Sequence, residues 1–215
     1  EDFMDKAERI RNEKLGAGLI KALALRHFDA YYCASCAEAA EKIISLIPKT
    51  DVVSWGGSVT MEALGVIDRV KKGGWRVIDR STAQSQEEKI EIMRRALLCD
   101  TYLTGANAIS EDGEIVNVDG NGNRVAAMTF GPRSVIVACG MNKVVKTAED
   151  AISRARNTAA PVNAQRFDIR TPCKTTGSCA DCKSTDSICS YIVRTRLCKP
   201  AGRIKVVLVG ETLGF

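Results

Sequence analysis

The chain has 215 residues, enough for one large domain, and 45% of them are hydrophobic, as in most globular proteins. Its net charge of +5 is carried by scattered basic residues and aromatic residues make up 5%, which argues against a nucleic-acid-binding surface. No apolar run approaches the ~20 residues of a membrane span. Residues 1–15 are charged, so we expect no secretory signal and a cytoplasmic protein.

Predicted helices and strands alternate along the chain, as apolar periodicity and Gly or Pro breaks indicate. Helices are predicted over residues 3–27, 35–46, 59–72, 86–98 and 148–157, with a helical turn over 161–167; strands are predicted over 29–33, 51–55, 75–78, 100–103, 134–139, 191–197 and 203–209. Such alternation implies βαβ units. We therefore predict a single α/β domain over residues 1–215, with a Rossmann-like, mostly parallel sheet flanked by helices.

A different pattern interrupts this alternation in the middle of the chain. Turn signals at residues 112–113 and 119–122 flank two apolar runs, 115–118 and 125–128. Apolar runs bounded by Asp-Gly and Asn-Gly turns are typical of paired strands. The sequence therefore predicts a small β-hairpin insertion here.

Three glycine-containing breaks, at residues 55–60, 104–107 and 140–143, follow predicted strands. In a parallel sheet they would share the edge where ligands bind. Backbone N–H groups at the first break can bind an anion, although a tight turn with Ser58 as helix N-cap explains it equally well. Neither a Walker A loop nor a G-x-G-x-x-G fingerprint is present. The candidate ligand-binding residues are Gly56, Gly57, Ser58, Thr60, Gly105, Ala106, Asn107 and Asn142.

Two charged residues near these breaks are candidate catalytic groups for a small anionic metabolite. Lys143 follows a predicted strand, where an ammonium group suits a phosphate or carboxylate, or is an ordinary solvated lysine. Glu114 could act as a general base. Asp112 and Asp119 stand beside glycine, which favours a role in turns for both.

The most specific pattern is C-x5-C-x2-C-x6-C, formed by Cys173, Cys179, Cys182 and Cys189. The residues between them are mostly Gly, Ser, Thr, Lys and Asp, which offer little apolar surface to offset the entropy of an ordered loop. Nine cysteines without a secretory signal favour reduced thiols, which cluster most often around metals. The irregular spacing favours a [4Fe–4S] cluster over zinc, and ordinary free thiols are the remaining alternative. A metal loop is thus predicted within residues 171–198.

The other cysteines carry weaker signals. Cys33 and Cys36 form a C-x2-C pair at a strand end, a placement similar to that in thioredoxins, but incidental thiols are the default interpretation. Cys99 and Cys139 are expected in the core. The sequence assigns no role to Cys198.

Five stretches together resemble the lactate-utilisation (LUD) domain family, in the subgroup with a C-terminal cysteine motif. They are V-S-W-G-G-S-V-T-M-E-A-L-G at 53–65, residues 104–126, V-A-C-G-M-N-K-V-V at 137–145, the cysteine loop, and V-L-V-G-E-T-L-G-F at 207–215. The resemblance implies a fold related to the NagB/RpiA/CoA-transferase superfamily, whose loops bind sugar phosphates, CoA or folates. It also implies a link to operons for L-lactate oxidation, where relatives occur beside iron–sulfur subunits.

Together these expectations describe a lactate-utilisation-type, iron–sulfur-binding protein that acts on or binds a hydroxy acid or phosphorylated compound. Lactate oxidation needs a hydride acceptor, so a flavin or iron–sulfur partner protein is expected. One alternative is a non-catalytic metabolite-binding module with structural zinc. Another is a transferase or isomerase of the NagB/RpiA/CoA-transferase type, with Glu114 or Glu62 as its catalytic carboxylate. An exposed sheet edge or apolar helix face would favour a homodimer.

Overall fold

Ten strands and nine α-helices are found in the computed structural model, which describes residues 3–215 and the side chains of residues 6–215. The strands are β1 (Asp29–Cys33), β2 (Val52–Trp55), β3 (Arg76–Ile78), β4 (Thr101–Gly105), β5 (Ala108–Ser110), β6 (Ile115–Asp119), β7 (Ser134–Gly140), β8 (Val144–Val145), β9 (Tyr191–Thr195) and β10 (Ile204–Val209). The helices are α1 (Phe3–Leu25), α2 (Cys36–Ser45), α3 (Val59–Ala63), α4 (Val66–Lys72), α5 (Gln86–Arg95), α6 (Asn123–Thr129), α7 (Ala148–Arg154), α8 (Ala160–Ala164) and α9 (Pro172–Thr176). Within residues 3–215, none of the helices has the length and apolarity to cross a membrane.

The larger sheet has six strands in the order β1-β10-β7-β4-β2-β3, and every neighbouring pair is parallel. Alternate side chains of β7 enter two different apolar layers. Val135, Val137 and Cys139 pack in the layer that contains Leu19 and Leu23 of α1. The intervening residues Ile136 and Ala138 enter the opposite layer, with α2, α3 and α4. Because both faces are buried, the strands are nearly continuous apolar runs. The predicted Rossmann-like parallel sheet is confirmed.

A second, smaller sheet of order β8-β5-β6-β9 lies beside the first. Strands β5 and β6 form an antiparallel hairpin around the Asp112-Gly113 turn, and β9 adds to β6 in antiparallel register. The sequence predicted a hairpin between residues 115–118 and 125–128, whereas residues 115–119 pair with 108–110 instead. Its apolar face packs on α7 through Ala108, Val116, Ala151 and Ala155. Residues 191–195 therefore belong to this second sheet rather than to the parallel one.

The strand predicted over 125–128 is wrong, because these residues belong to helix α6. The backbone enters α6 through Gly122 in the left-handed region, with φ of 79°. The Asp119 carboxylate accepts hydrogen bonds from Arg124 N at 2.9 Å and Val125 N at 3.2 Å. A side chain that satisfies the first free N–H groups of a helix favours helix over strand. This local cap outweighs the β preference of the apolar run.

Two predicted helices also differ from the observed ones in where they begin or end. The helix expected over 59–72 is divided at Gly65, whose φ of 65° separates α3 from α4. The helix expected over 148–157 continues beyond that range, because a π-helical turn at Ala155–Ala159 joins α7 to α8. Pro161 lies in the first turn of α8. Proline lacks an N–H donor, so the wider turn accommodates it without ending the helix.

Candidate functional site

A cleft of about 790 Å³ opens at the carboxyl edge of the parallel sheet. Its floor comes from the segments that follow β2, β4 and β7, as the parallel topology requires. Its walls come from the ends of α5 and α6, the segment after α8, and residues 185–188 of the cysteine loop. The predicted site residues that line the cleft are Gly57, Ser58, Thr60, Gly105, Ala106, Asn107 and Lys143.

Glycines allow the three floor segments to approach each other. A Cβ at Gly105 would lie 3.2 Å from Ser58 Oγ and 3.3 Å from Thr60 Oγ1, so a side chain here would press on the β2 segment. A Cβ at Gly57 would overlap the Arg80 guanidinium. Ser58 is the N-cap of α3, accepting from Met61 N at 3.2 Å. This hydrogen bond is the one expected if Ser58 is the helix N-cap after a tight turn.

Lys143 lies buried at the floor of the cleft, with 3% of the residue exposed. Its Nζ donates to Thr60 Oγ1 at 3.0 Å and to Ala106 O at 3.4 Å, which joins all three floor segments. Within residues 6–215 it has no salt-bridge partner. Burial lowers the pKa of its ammonium group.

Two arginines bring further positive charge to the cleft. The Arg124 guanidinium donates to neutral oxygens, Val118 O at 2.5 Å and Asn107 Oδ1 at 3.1 Å. Burial lowers the pKa of Arg124, which still leaves an arginine charged at neutral pH. Arg80 Nη1 contacts Met93 Sδ at 3.8 Å. In the described part of the chain, neither arginine forms an ion pair with a carboxylate.

Four carboxyl groups also line the cleft, and among the described residues none of them forms a salt bridge with Lys143, Arg80 or Arg124, although the Asp119 carboxylate raises the pKa of Arg124 against the effect of burial. Asp119 caps α6 as described above, and Asp186 accepts from Arg170 N at 2.9 Å. Glu62 and Asp168 are exposed at the rim. The buried part of the cleft is therefore cationic, which suits an anionic ligand.

Three candidate residues from the sequence lie elsewhere. Gly56 lines a smaller adjoining pocket, beside Trp55 and Lys71. Asn142 holds the last residues of the chain, accepting from Leu213 N at 3.1 Å and donating to Gly214 O at 3.3 Å.

The third is Glu114, which lies in the hairpin sheet and not among the residues that line the cleft. Its side chain is 3% exposed and forms ion pairs with Arg26, at 3.1 Å, and with Arg194. The hydrogen bond from Arg194 lowers the pKa of Glu114, against the opposing effect of burial. The geometry is that of a structural ion pair. Of the two carboxylates considered for a transferase or isomerase, Glu62 borders the cleft.

The four motif cysteines are free and half-buried. Cys173 lies in α9, and Cys179, Cys182 and Cys189 follow in irregular backbone. Burial, and then the nearby Cys173, Cys179 and Cys182, raise the pKa of Cys189 to about 11. The sulfurs of Cys173, Cys179 and Cys182 therefore lie within electrostatic range of Cys189. Among the described residues, no three His, Cys, Asp or Glu side chains are arranged closely enough to hold a metal ion. The sulfur donor set itself fits an iron–sulfur cluster or zinc.

The remaining cysteines are poorly suited to redox chemistry. Burial, and then the Glu211 carboxylate, raise the pKa of Cys36 to about 11, the opposite of an activated thioredoxin-type thiol. Cys198 is buried and accepts from Ile204 N at 3.2 Å. Cys99 and Cys139 lie in the core, as expected.

Sequence reasoning missed the three arginines that line the cleft, Arg80, Arg124 and Arg166. Arg80 stands two residues after β3, so its position at a strand end was a usable signal. Arg124 was hidden because the sequence places it next to a predicted strand rather than in helix α6. Arg166 and Phe215 also line the cleft, with the guanidinium 5.9 Å from the ring centroid.

Comparisons with known proteins agree with this fold. The family model of the LUD domain matches residues 17–209. No curated protein matches the sequence. Among solved structures, the chain is similar to a DUF162 family protein from Deinococcus radiodurans, with 16% identity, a TM-score of 0.51, and coverage of 94% of this chain and 97% of that one. At this identity, the likeness shows the fold alone.

Two translation initiation factor structures match about half of the chain. The Pyrococcus horikoshii OT3 factor eIF-2B has 18% identity and a TM-score of 0.37, with coverage of 54% of this chain and 50% of that one. The delta subunit of eIF2B from Chaetomium thermophilum has 18% identity and a TM-score of 0.32, with coverage of 54% and 52%. This chain spans about half the length of each, and at these scores neither carries an argument about function.

Proposed function

The chain belongs to the LUD domain family, and from this premise we propose that it is a lactate-utilisation-type protein that binds a small anionic metabolite in the cleft and an iron–sulfur cluster at the cysteine loop. The observation that carries the proposal is the charge of the cleft. Lys143, Arg80 and Arg124 reach it from three separate segments, and among the described residues none has a carboxylate in a salt bridge. Buried cations that have no carboxylate in a salt bridge are stabilised by an anionic ligand.

The ligand class is a hydroxy acid, its oxidised counterpart or a phosphorylated compound. A carboxylate or phosphate can accept paired N–H bonds from a guanidinium group, which gives both charge and orientation. Arg80 is well suited to this role, because its guanidinium group contacts the Met93 thioether, which is a weak hydrogen-bond acceptor. Thr60 and Asn107 add neutral polar groups beside the cations.

Calorimetry with L-lactate, pyruvate and sugar phosphates tests the metabolite site. Arg80→Ala should weaken binding of the responding compound about tenfold or more, since a charge-assisted hydrogen bond contributes about 1.5–3 kcal/mol. Arg133→Ala is the matched control, because Arg133 is an exposed arginine outside the cleft, 3.8 Å from Asp100. Equal affinities for all three proteins would contradict the proposed cleft site.

The cluster proposal rests on four thiols in a loop with little apolar packing, three of which lie within electrostatic range of Cys189. Cys173, Cys179, Cys182 and Cys189 would hold the cluster, which when bound would supply one-electron transfer or Lewis acidity. Lys174 and Lys183 add positive charge to the same loop. Lactate oxidation would still need a flavin or iron–sulfur partner protein as electron acceptor.

Anaerobic purification with iron, sulfide and zinc quantitation tests the cluster. About four iron and four sulfide per chain are expected for a [4Fe–4S] cluster. Cys182→Ser should abolish them, and Cys36→Ser, a half-buried thiol outside the motif, should retain them. Bound zinc without iron would instead support a structural zinc site in a metabolite-binding module. A protein that contains neither iron nor zinc would contradict both the cluster and the zinc site.

A further inference from the structure

The amine of Lys143 has surroundings unlike those of a structural lysine. A lysine that stabilises a fold normally reaches solvent or pairs with a carboxylate. Lys143 does neither in the described part of the chain: it is 3% exposed, and its two acceptors are the Thr60 hydroxyl and the Ala106 carbonyl. Lys143 nevertheless lines the cleft, so its amine lies at the floor of the site that a ligand would occupy.

The charges around Lys143 favour the neutral amine. Burial lowers its pKa, Cys139 raises it, and Arg154 and Arg124 lower it further. Arg154 is held nearby by its hydrogen bond to Asn107 O at 2.6 Å. A desolvated lysine beside other cations is the arrangement that activates an amine as a nucleophile. Arg124, which also lines the cleft, would attract the negative end of a ligand.

We propose that Lys143 forms an imine with the carbonyl carbon of an α-keto acid whose carboxylate is bound by the cleft arginines. The inference rests on the proposed anion site and deepens it by naming the substrate class. An α-keto acid fits because it places a carbonyl next to a carboxylate. The two groups therefore match a nucleophilic amine next to guanidinium groups, whereas a hydroxy acid has no ketone or aldehyde carbon for the amine to attack.

The step balances without an oxidant or reductant. The Nζ lone pair attacks the carbonyl carbon, so a C–N bond forms as the C=O π bond breaks, and one proton passes from nitrogen to oxygen to give a carbinolamine. The second N–H proton then passes to that oxygen, the C–O bond breaks, and water leaves as the C=N bond forms; the reverse sequence restores the amine. Thr60 Oγ1, 3.0 Å from Nζ, is positioned to relay the proton.

Borohydride trapping tests this step in the intact protein. The protein is incubated with pyruvate and sodium borohydride, and the product is analysed by intact mass and by peptide mapping. The expected adduct has the mass of pyruvate less water plus two hydrogens, on the peptide that contains Lys143. Because mapping locates the modified lysine in the wild-type chain, the result does not depend on whether a variant folds.

Three variants identify the role of the amine. Lys143→Met and Lys143→Arg should each lose the adduct, and the arginine variant keeps a positive charge at the cleft floor. Lys146→Met should label like the wild type, because Lys146 is exposed and pairs with Glu111 outside the cleft. Circular dichroism of each variant confirms the fold. An adduct of undiminished yield in Lys143→Met would overturn the proposal.

Calorimetry without borohydride separates failure of this inference from failure of the anion site. If pyruvate binds and no adduct forms on Lys143, the imine is wrong and the anion site stands. The same holds if hydroxy acids or phosphorylated compounds bind and α-keto acids do not. If none of these anions binds, both proposals are overturned.

Discussion

Replacing Glu114 by Gln decides whether this carboxylate is structural or catalytic. Gln keeps the size of the side chain but removes its charge. In the wild type, one carboxylate oxygen pairs with Arg26 at 3.1 Å and the other with Arg194. Arg26 also donates to Asp112 O at 2.6 Å and to Arg196 O at 3.0 Å, so the ion pair joins the end of α1 to the hairpin sheet.

The expected cost follows from the burial of the three groups. A hydrogen bond to a charged group contributes about 1.5–3 kcal/mol and a neutral one about 0.5–1.5. Two bonds weakened by about 1 kcal/mol each would cost about 2 kcal/mol, but the Arg194 side chain is 41% exposed, which reduces its share. We expect a loss of about 1–2 kcal/mol at pH 7, or about 2–8 °C in Tm for a chain of this size.

Thermal unfolding against pH supplies the assay. The pKa of Glu114 is lowered in the folded state, so its stabilisation is complete above the unfolded pKa of about 4.3 and is lost as the pH falls through the folded value. The difference in Tm between wild type and Glu114→Gln should therefore be full at pH 7 and shrink in acid. Glu111→Gln, which removes an exposed pair with Lys146, should change Tm little. Unchanged Tm with lost metabolite turnover would refute the structural role.

Three further predictions concern the cleft and the thiols. At pH 8, iodoacetamide should modify Cys36 slowly, because a pKa of about 11 leaves about a thousandth as thiolate; rapid labelling in peptide mass spectra would contradict this. Gly57→Ala should displace the flexible end of Arg80 and weaken metabolite binding at unchanged Tm, and equal affinity in calorimetry would argue against contact with Arg80. Asp119→Ala removes the α6 cap and should cost about 1 kcal/mol in denaturant unfolding, whereas no loss would show that the cap is dispensable.

The parallel sheet could be predicted because its signals are local and repeated. Strands such as β7 are buried on both faces and therefore read as continuous apolar runs between glycine breaks. The exceptions arose where one residue decides the outcome. Gly65 in the left-handed region divides a helix, and the Asp119 cap turns an apolar run into α6. Their conformations depend on contacts that periodicity does not report.

The floor of the cleft could be predicted in outline, but the arginines around it could not. The segments after β2, β4 and β7 meet because parallel strands end at one edge, which topology alone dictates. Which side chains then point inward depends on packing. Lys143 was expected there, whereas Glu114, which directly follows the Asp112-Gly113 turn, is held by Arg26 and Arg194 in the other sheet.

The cysteine loop and the cleft are separate signals in the sequence, but in the structure they share a wall. Residues 185–188 line the cleft and connect Cys182 to Cys189. The backbone of Ile188 lies against Gly120, where a Cβ would come within 3.2 Å of Ile188 Cα, so the loop is seated directly on the turn that leads to α6 and Arg124. With so little apolar surface of its own, this wall depends on what holds the four thiols. A metal centre at the cysteine motif would therefore also shape one side of the proposed anion site.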